Sequence, residues 1–171
     1  MLLNLFIILV IIFLVFLLSM VWPPDSPWSP WWRTSNKVAR RAFKLANLTE
    51  KDIVFELGSG EGLALMIASE EFGARGVGIE IDPIRFYLSR LLVWRKGLTD
   101  KIKLKRGNFF KHDISEASVV FVYLVPKALD RLIPKFQREL KKGTRIVSYK
   151  YEMDLPLLKE DKEYGLRLYT T

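Results

Sequence analysis

The sequence has no cysteine and only one histidine among its 171 residues. Without cysteine there is no disulfide, no thiolate zinc site and no cysteine nucleophile. The acidic residues Asp82, Asp113 and Glu116 fall on separate predicted loops, so no metal site is predicted. The histidine, His112, stands alone in a polar loop, where such a residue is usually solvated. No segment repeats at a fixed period, which favours one domain plus attachments.

Charge is absent from the beginning of the chain, where residues 2–22 are apolar except for Asn4 and Ser19. A helix of about 20 residues spans about 30 Å, the thickness of the hydrocarbon core of a bilayer. A cleaved signal peptide is the alternative, but it would need basic residues before the apolar run and small residues at a cleavage site. The pattern therefore predicts a transmembrane anchor over residues 1–22, in contact with the bilayer through residues 2–22.

Positive charge follows the apolar run, and the formal net charge of the chain is +8. The basic residues just after the run are Arg33, Lys37, Arg40, Arg41 and Lys44. By the positive-inside rule, this predicts a single-pass membrane protein whose C-terminal domain is cytoplasmic. The stripe over 37–44 is either a solvated helix face or a contact for anionic headgroups. Because this stripe carries much of the positive charge, little is left for a nucleic-acid groove elsewhere, and no nucleic-acid partner is expected.

Between anchor and domain, residues 23–34 are rich in proline and tryptophan, which predicts a juxtamembrane linker. Two interpretations of Trp31 and Trp32 remain open. Their indoles either form part of a collar at the membrane interface or cap the soluble domain.

From residue 35 to residue 171, strands and helices alternate, which predicts one α/β domain. The predicted strands are 52–57, 76–81, 102–106, 118–124, 144–151 and 165–170, and the predicted helices are 35–48, 63–72, 83–96 and 129–140. The expected fold is a Rossmann-like sheet of six or seven mostly parallel strands. The charged stretch 159–164 is predicted to be a loop. Ligands of such sheets bind at the carboxyl ends of the strands.

Alternating glycines follow the first predicted strand, at Gly58, Gly60 and Gly62. Glycine permits a positive φ and lets a ligand lie against bare backbone. Glu80, at the end of the second strand, is placed to accept hydrogen bonds from both hydroxyls of a ribose. Glu56, two residues before the first glycine, would repel a phosphate but suits a cation. The pattern therefore predicts a nucleoside with a zwitterionic tail and not a dinucleotide.

These segments resemble the cofactor motifs of class I S-adenosylmethionine-dependent methyltransferases. The matching stretches are Glu-Leu-Gly-Ser-Gly-Glu-Gly at 56–62, Gly-Val-Gly-Ile-Glu-Ile-Asp at 76–82 and Gly-Asn-Phe at 107–109. The resemblance implies S-adenosylmethionine as the cofactor, bound by Glu56, Gly58, Ser59, Gly60, Gly62, Glu80, Ile81, Asn108 and Phe109. Many members of the class have aspartate where this chain has Asn108, but an amide oxygen can also contact the amino group of adenine.

A narrower resemblance adds the membrane helix and the segment before the core. Residues 106–110, 123–126 and 143–148 are similar to membrane-anchored protein lysine methyltransferases, whose mitochondrial members modify the ADP/ATP translocase and the ATP synthase c-subunit. The resemblance implies a lysine N-methyltransferase acting on a membrane or membrane-associated protein, with Thr34 at the cofactor. The family usually has Val-Pro-Thr-Pro here, whereas residues 32–35 are Trp-Arg-Thr-Ser.

A lysine acceptor must lose its proton before it can attack, because its unperturbed pKa is near 10.4. Tyr123, at the end of the fourth strand, is the best polar candidate for that role, although its ring could simply pack there. The stretch 122–126 lacks the Asn/Asp-Pro-Pro-aromatic pattern of nucleobase amino methyltransferases. Methylation of a lipid or quinone, and a non-enzymatic membrane-tethered scaffold, remain open as alternatives.

Overall fold

The computed structural model describes residues 2–21 and 32–171. Helix α1, Leu2–Val21, matches the helix predicted at the beginning of the chain. The side chains of α1 are described for residues 3–17. Within the described part of the chain, no helix is long and apolar enough to cross a membrane. The transmembrane prediction is therefore not shown by the structure. Most of the linker predicted over 23–34 lies outside the described residues.

Residues 32–171 contain seven strands and four further α-helices. The strands are β1 (Ile53–Leu57), β2 (Arg75–Glu80), β3 (Ile102–Arg106), β4 (Val119–Val122), β5 (Arg145–Tyr149), β6 (Leu157–Asp161) and β7 (Leu166–Thr170). The helices are α2 (Asn36–Leu45), α3 (Leu63–Phe72), α4 (Pro83–Arg95) and α5 (Pro126–Glu139). The predicted α/β fold is confirmed, and its elements agree with the prediction except for β6 and a few residues at the ends.

The strands form one sheet in the order β3-β2-β1-β4-β5-β7-β6. Strands β1 to β5 are parallel to one another, whereas β7 runs antiparallel to β5 and β6 antiparallel to β7. The strand order reverses between β1 and β4. In open α/β sheets this switch point leaves a crevice at the carboxyl ends of the strands, where ligands bind.

Apolar residues of the central strands alternate between two buried clusters, one on each face of the sheet. Val54 of β1 packs with residues of α2, α3 and α4, whereas the next residue, Phe55, packs with residues of α5. Successive side chains of a strand point to opposite faces of the sheet. A strand that is buried on both faces therefore has apolar residues at consecutive positions, without alternating polar ones. This explains the near-continuous apolar runs of β1 and β4.

Two helix beginnings are fixed by side-chain caps. The Ser35 hydroxyl accepts a hydrogen bond from the Val38 N–H at 3.3 Å and caps α2. The Asp82 carboxylate accepts from the Arg85 N–H at 2.8 Å, with Pro83 in the first turn of α4. The second cap fixes the chain immediately after Glu80, which is the last residue of β2 and the predicted ribose acid.

The prediction of a loop over 159–164 is wrong for Lys159, Glu160 and Asp161, which belong to β6, whereas 162–164 form the turn to β7. Strand β6 is at the edge of the sheet and most of its residues are exposed, so it has no apolar alternation to reveal it. Two ion pairs hold β6 in place. Arg167 of β7 contacts Glu160 of β6 at 3.0 Å, and Arg41 of α2 contacts Asp161 of β6.

Candidate active site

The loop between β1 and α3 turns on three glycines with positive φ. The φ angles of Gly58, Gly60 and Gly62 are +77°, +52° and +75°, in the left-handed region that residues with a side chain rarely adopt. The N–H groups of Gly58 and Ser59 both donate to the carbonyl of Ile79, at 2.9 and 3.1 Å. The loop therefore lies across the carboxyl ends of β1 and β2.

The buried carboxylate of Glu80 connects this loop to the beginning of α4. One oxygen accepts from the Gly60 N–H at 2.7 Å, and the other accepts from the Asp82 N–H at 2.8 Å. Burial raises the pKa of Glu80, while the two hydrogen bonds and the charge of Arg85 oppose that rise. A carboxylate oxygen can accept more than one hydrogen bond, so both oxygens keep capacity for a pair of hydroxyls.

Glu56, on β1, is a second buried carboxylate at the same edge of the sheet. Burial raises the pKa of Glu56 well above its ordinary value, with a further contribution from the charge of Glu80, and a hydrogen bond from the Leu65 main chain opposes the rise. Among the described residues, no group forms a hydrogen bond with Glu56 Oε2. A buried acceptor left unpaired costs about 1–3 kcal/mol. A cationic group at this position would remove that cost.

Ser59 lies in the loop against Gly78 of β2. A Cβ atom at residue 78 would stand 2.7 Å from Ser59 Oγ and 2.8 Å from side-chain carbons of Leu65 and Leu104. Glycine at 78 is therefore what allows the loop to pack so closely on the sheet. Ser59 Oγ is buried and has no hydrogen-bond partner in the described part of the chain. It is a second polar atom at this loop that a ligand could satisfy.

A cleft opens over the loop and brings together six of the predicted site residues: Thr34, Glu56, Gly58, Ser59, Gly60 and Tyr123. The cleft is also lined by Trp32, Arg33 and Glu61, which were not among the predicted site residues. Arg33 forms an ion pair with Glu61, which ties the segment before α2 to the glycine loop. We define this space as the cofactor cleft.

The indole of Trp32 packs on the domain, with ring centroids 5.7 Å from Tyr123 and 6.4 Å from Tyr151. Of the two interpretations left open by the sequence, the one in which this indole packs against the soluble domain is confirmed. Trp31 lies outside the described residues.

Four other predicted cofactor residues, Gly62, Ile81, Asn108 and Phe109, are not among the described residues that line the cleft. Gly62 begins α3, and Ile81 follows β2 directly. Asn108 follows β3, and its side-chain oxygen accepts from the Phe110 N–H at 2.9 Å. The ring of Phe109 packs on Phe110, with centroids 4.6 Å apart. Because β2 and β3 are neighbours, these residues continue the same edge of the sheet, and their contact with adenine stays a prediction.

His112 is half-buried, with its Nε2 atom 2.7 Å from where a Cβ on Gly107 would stand. The ring is therefore only partly exposed, which is less than a fully solvated histidine would be. In the described part of the chain, no group of three or more His, Cys, Asp or Glu residues could hold a metal ion.

Beside the cofactor cleft, three aromatic rings surround the ammonium of Lys150. The distances from Lys150 Nζ to the ring centroids are 5.3 Å for Tyr123, 5.6 Å for Tyr149 and 5.8 Å for Trp32. We call these three rings the aromatic cage. Tyr149 was not among the predicted site residues, because its position beside Tyr123 follows from the register of β4 and β5, in which Val122 pairs with Ser148.

The glycine loop, the buried acid at the end of β2 and a mainly parallel seven-stranded sheet with one antiparallel hairpin define a class I S-adenosylmethionine-dependent methyltransferase. The unpaired Glu56 Oε2 and Ser59 Oγ, together with the remaining acceptor capacity of Glu80, fit the cationic tail and ribose of that cofactor. Residues 56–157 match the family described as the ANTKMT methyltransferase domain, and the chain belongs to this family.

Relatives and solved structures agree with this assignment. A protein-lysine N-methyltransferase of Saccharolobus islandicus is 37% identical over 131 residues, which are 76% of this chain and 80% of the relative. The adenine nucleotide translocase lysine N-methyltransferase of Mus musculus is 33% identical over 99 residues, and the chain spans only 43% of its length. An RNA methyltransferase from Salinibacter ruber, solved with S-adenosyl-L-homocysteine, has a TM-score of 0.76 and 37% identity over 81% of this chain and 92% of that one.

Proposed function

We propose that this chain is a protein lysine N-methyltransferase that uses S-adenosylmethionine and acts on a membrane or membrane-associated protein. The observation that carries the proposal is that the cofactor cleft and the aromatic cage share two of their residues. Trp32 and Tyr123 line the cofactor cleft and also form part of the cage that holds a lysine ammonium. The names of the archaeal and mouse relatives support a lysine acceptor.

On the cofactor side, the bound cofactor would supply an electrophilic methyl group on its sulfonium. Glu80 would hold the ribose hydroxyls while its bonds to Gly60 and Asp82 keep the loop in place. Glu56 would face the ammonium of the methionine tail, and this charge would lower the raised pKa of Glu56 and favour its carboxylate. Cofactor binding and Glu56 ionisation are therefore expected to be coupled.

On the acceptor side, the protein must orient one lysine amine and help it lose a proton. Aromatic faces attract an ammonium and exclude water on that side. Tyr123 lies where the cage meets the cofactor cleft, so its hydroxyl is the group best placed to hydrogen-bond the amine. Holding the amine in line with the methyl group supplies much of the rate of such a displacement.

The Salinibacter ruber neighbour makes RNA the main competing acceptor. Two features favour protein. Basic charge on α2 is partly neutralised, because Arg40 pairs with Glu71 at 2.7 Å and Arg41 pairs with Asp161. The acceptor side has a cage suited to an aliphatic ammonium, and 122–126 lacks the amide or acid expected for a nucleobase amine.

We also propose that α1 holds the chain at a membrane with the domain on the cytoplasmic side. Support comes from the sequence of 2–22 and from the large apolar side chains of 3–17, which are exposed. Contact of the stripe over 37–44 with headgroups would depend mainly on Lys37 and Lys44, because both arginines of the stripe are paired within the domain. Phosphate groups of anionic lipids would be the partners.

The acceptor is tested by incubating the detergent-solubilised full chain with tritiated S-adenosylmethionine and membranes and total RNA from its own source. A Glu80→Ala variant serves as the inactive control. We expect one labelled protein band, lost in the control, with the label on lysine by mass spectrometry. Label only in RNA would support the competing acceptor, and label only in a solvent extract would support a lipid or quinone. Cofactor binding without any transfer would make the chain a scaffold.

The membrane proposal is tested by fractionating cells that express the full chain or a variant lacking 2–21. We expect the full chain in the membrane pellet, released by detergent but not by alkaline carbonate, and the variant in the supernatant. A protease added outside intact cells should leave the domain uncut. Release of the full chain by carbonate would contradict the anchor.

A further inference from the structure

The main chain at Lys150 holds an unusual conformation that places its side chain in the aromatic cage. Its φ angle is +70°, in the left-handed region that a lysine seldom adopts. The Lys150 N–H donates to the Gly165 carbonyl at 2.7 Å, and its carbonyl accepts from Arg167 at 3.2 Å. The β5–β7 pairing therefore fixes this conformation just beyond the end of β5.

The ammonium of Lys150 makes the contacts that an acceptor lysine would need. It lies over three ring faces, those of Trp32, Tyr123 and Tyr149. Two of these rings, Trp32 and Tyr123, also line the cofactor cleft. An ammonium in the cage therefore lies beside that cleft.

We propose that Lys150 is an internal occupant of the acceptor subsite, a binding site for an alkylammonium, and that a substrate lysine must displace it before methyl transfer. This inference rests on the proposed function. Lys150 is solvent-exposed, so its side chain can leave the cage without unfolding any neighbour. The Tyr123 side chain raises the pKa of Lys150, while burial opposes the rise. The resident group is therefore an ammonium, which a substrate lysine has to replace.

The first test measures binding to the cage directly, with n-butyltrimethylammonium as the probe. It is titrated by calorimetry into the full chain in detergent and into Lys150→Met, Lys150→Arg and Lys142→Met. Methionine removes the cation, arginine keeps it, and Lys142 is an exposed lysine that serves as the matched control. We expect Lys150→Met to bind the probe about two- to five-fold more tightly than the native chain, the effect of losing one exposed cation–π contact. Lys150→Arg and Lys142→Met should bind it like the native chain.

The second test uses as its substrate the protein that the labelling experiment identifies as methylated on lysine. Lys150→Met should lower KM for that substrate while kcat and the affinity for S-adenosylmethionine stay near native values. Equal probe binding by the native chain and Lys150→Met, no probe binding by either, or a higher KM would overturn the inference. Tighter probe binding by Lys150→Met without transfer to any protein would instead leave the subsite standing and overturn the proposed function.

Discussion

The main-chain N–H of Gly60 donates a hydrogen bond of 2.7 Å to the carboxylate of Glu80. This contact joins the glycine loop after β1 to the end of β2, so the acid expected to bind ribose also fixes the loop on which the cofactor would lie. The second oxygen of Glu80 holds the Asp82 N–H at 2.8 Å and thereby the beginning of α4. Two motifs that look separate in the sequence act as one unit.

Replacing Glu80 should therefore weaken cofactor binding strongly. In Glu80→Gln, one acceptor oxygen becomes a donor that faces main-chain N–H groups, and the charged acceptor for the ribose is lost. Hydrogen bonds to charged groups contribute about 1.5–3 kcal/mol, so we expect the Kd for S-adenosylmethionine to rise about ten- to a hundred-fold. Calorimetry measures this. Glu70→Gln, an exposed glutamate paired with Lys96, is the control and should bind normally. Unchanged affinity in Glu80→Gln would remove this residue from the cofactor site.

Glu56 should make the stability of the ligand-free protein fall with rising pH. Its pKa is raised in the folded chain, first by burial and then by Glu80, so its contribution to stability is complete below its ordinary value of 4.5. That contribution is lost as the pH rises through the raised folded value, because the buried carboxyl must then ionise. Glu56→Gln does not titrate, and its oxygen can still accept from the Leu65 main chain.

Thermal unfolding of the native chain and Glu56→Gln between about pH 5 and 9 checks this linkage. We expect the Tm advantage of the variant to grow with pH, by about 2–4 °C for each kcal/mol gained. The variant should also bind S-adenosylmethionine more weakly, because the carboxylate for the ammonium is gone. A difference in Tm that does not change with pH would contradict the raised pKa.

The glycine loop and both acids could be predicted from the sequence because each lies next to the strand that positions it. Neighbouring residues and a parallel α/β pattern were sufficient to place Gly58, Glu56 and Glu80. The aromatic cage could not be predicted in the same way, because Trp32, Tyr123 and Tyr149 come from three distant segments. It requires the pairing of β4 with β5 and the return of the chain before α2 across the cleft. Strand β6 escaped prediction because an exposed edge strand needs no apolar pattern.

A methyl group at Gly78 should be accepted only if the ends of the Ser59, Leu65 and Leu104 side chains shift. The φ of this glycine is not in the left-handed region, so the cost of Gly78→Ala comes from the contacts of the new Cβ with Ser59 Oγ and with carbons of Leu65 and Leu104. Overpacking of this kind costs about 1–3 kcal/mol, or a Tm lower by about 2–12 °C. The displaced Ser59 should also weaken cofactor binding. Gly97→Ala meets no atom within 4 Å and adds only backbone strain at φ +67°, so its cofactor affinity should be normal. Equal affinities in the two variants would contradict this account.

Removing the hydroxyl of Tyr123 should slow methyl transfer without changing cofactor affinity. In Tyr123→Phe, the ring still packs on Trp32 and on Tyr149, whose centroid is 4.5 Å away, so the cage keeps its shape. If the hydroxyl hydrogen-bonds the acceptor amine, kcat should fall about ten- to a hundred-fold. Initial rates with the lysine substrate measure kcat, and calorimetry measures the cofactor Kd. Tyr87→Phe, an exposed tyrosine on α4, is the control and should behave like the native chain. An unchanged kcat in Tyr123→Phe would show that only the ring of Tyr123 matters, as part of the aromatic cage. A loss of cofactor affinity that parallels the loss of kcat would show that the hydroxyl contacts the cofactor and not the amine.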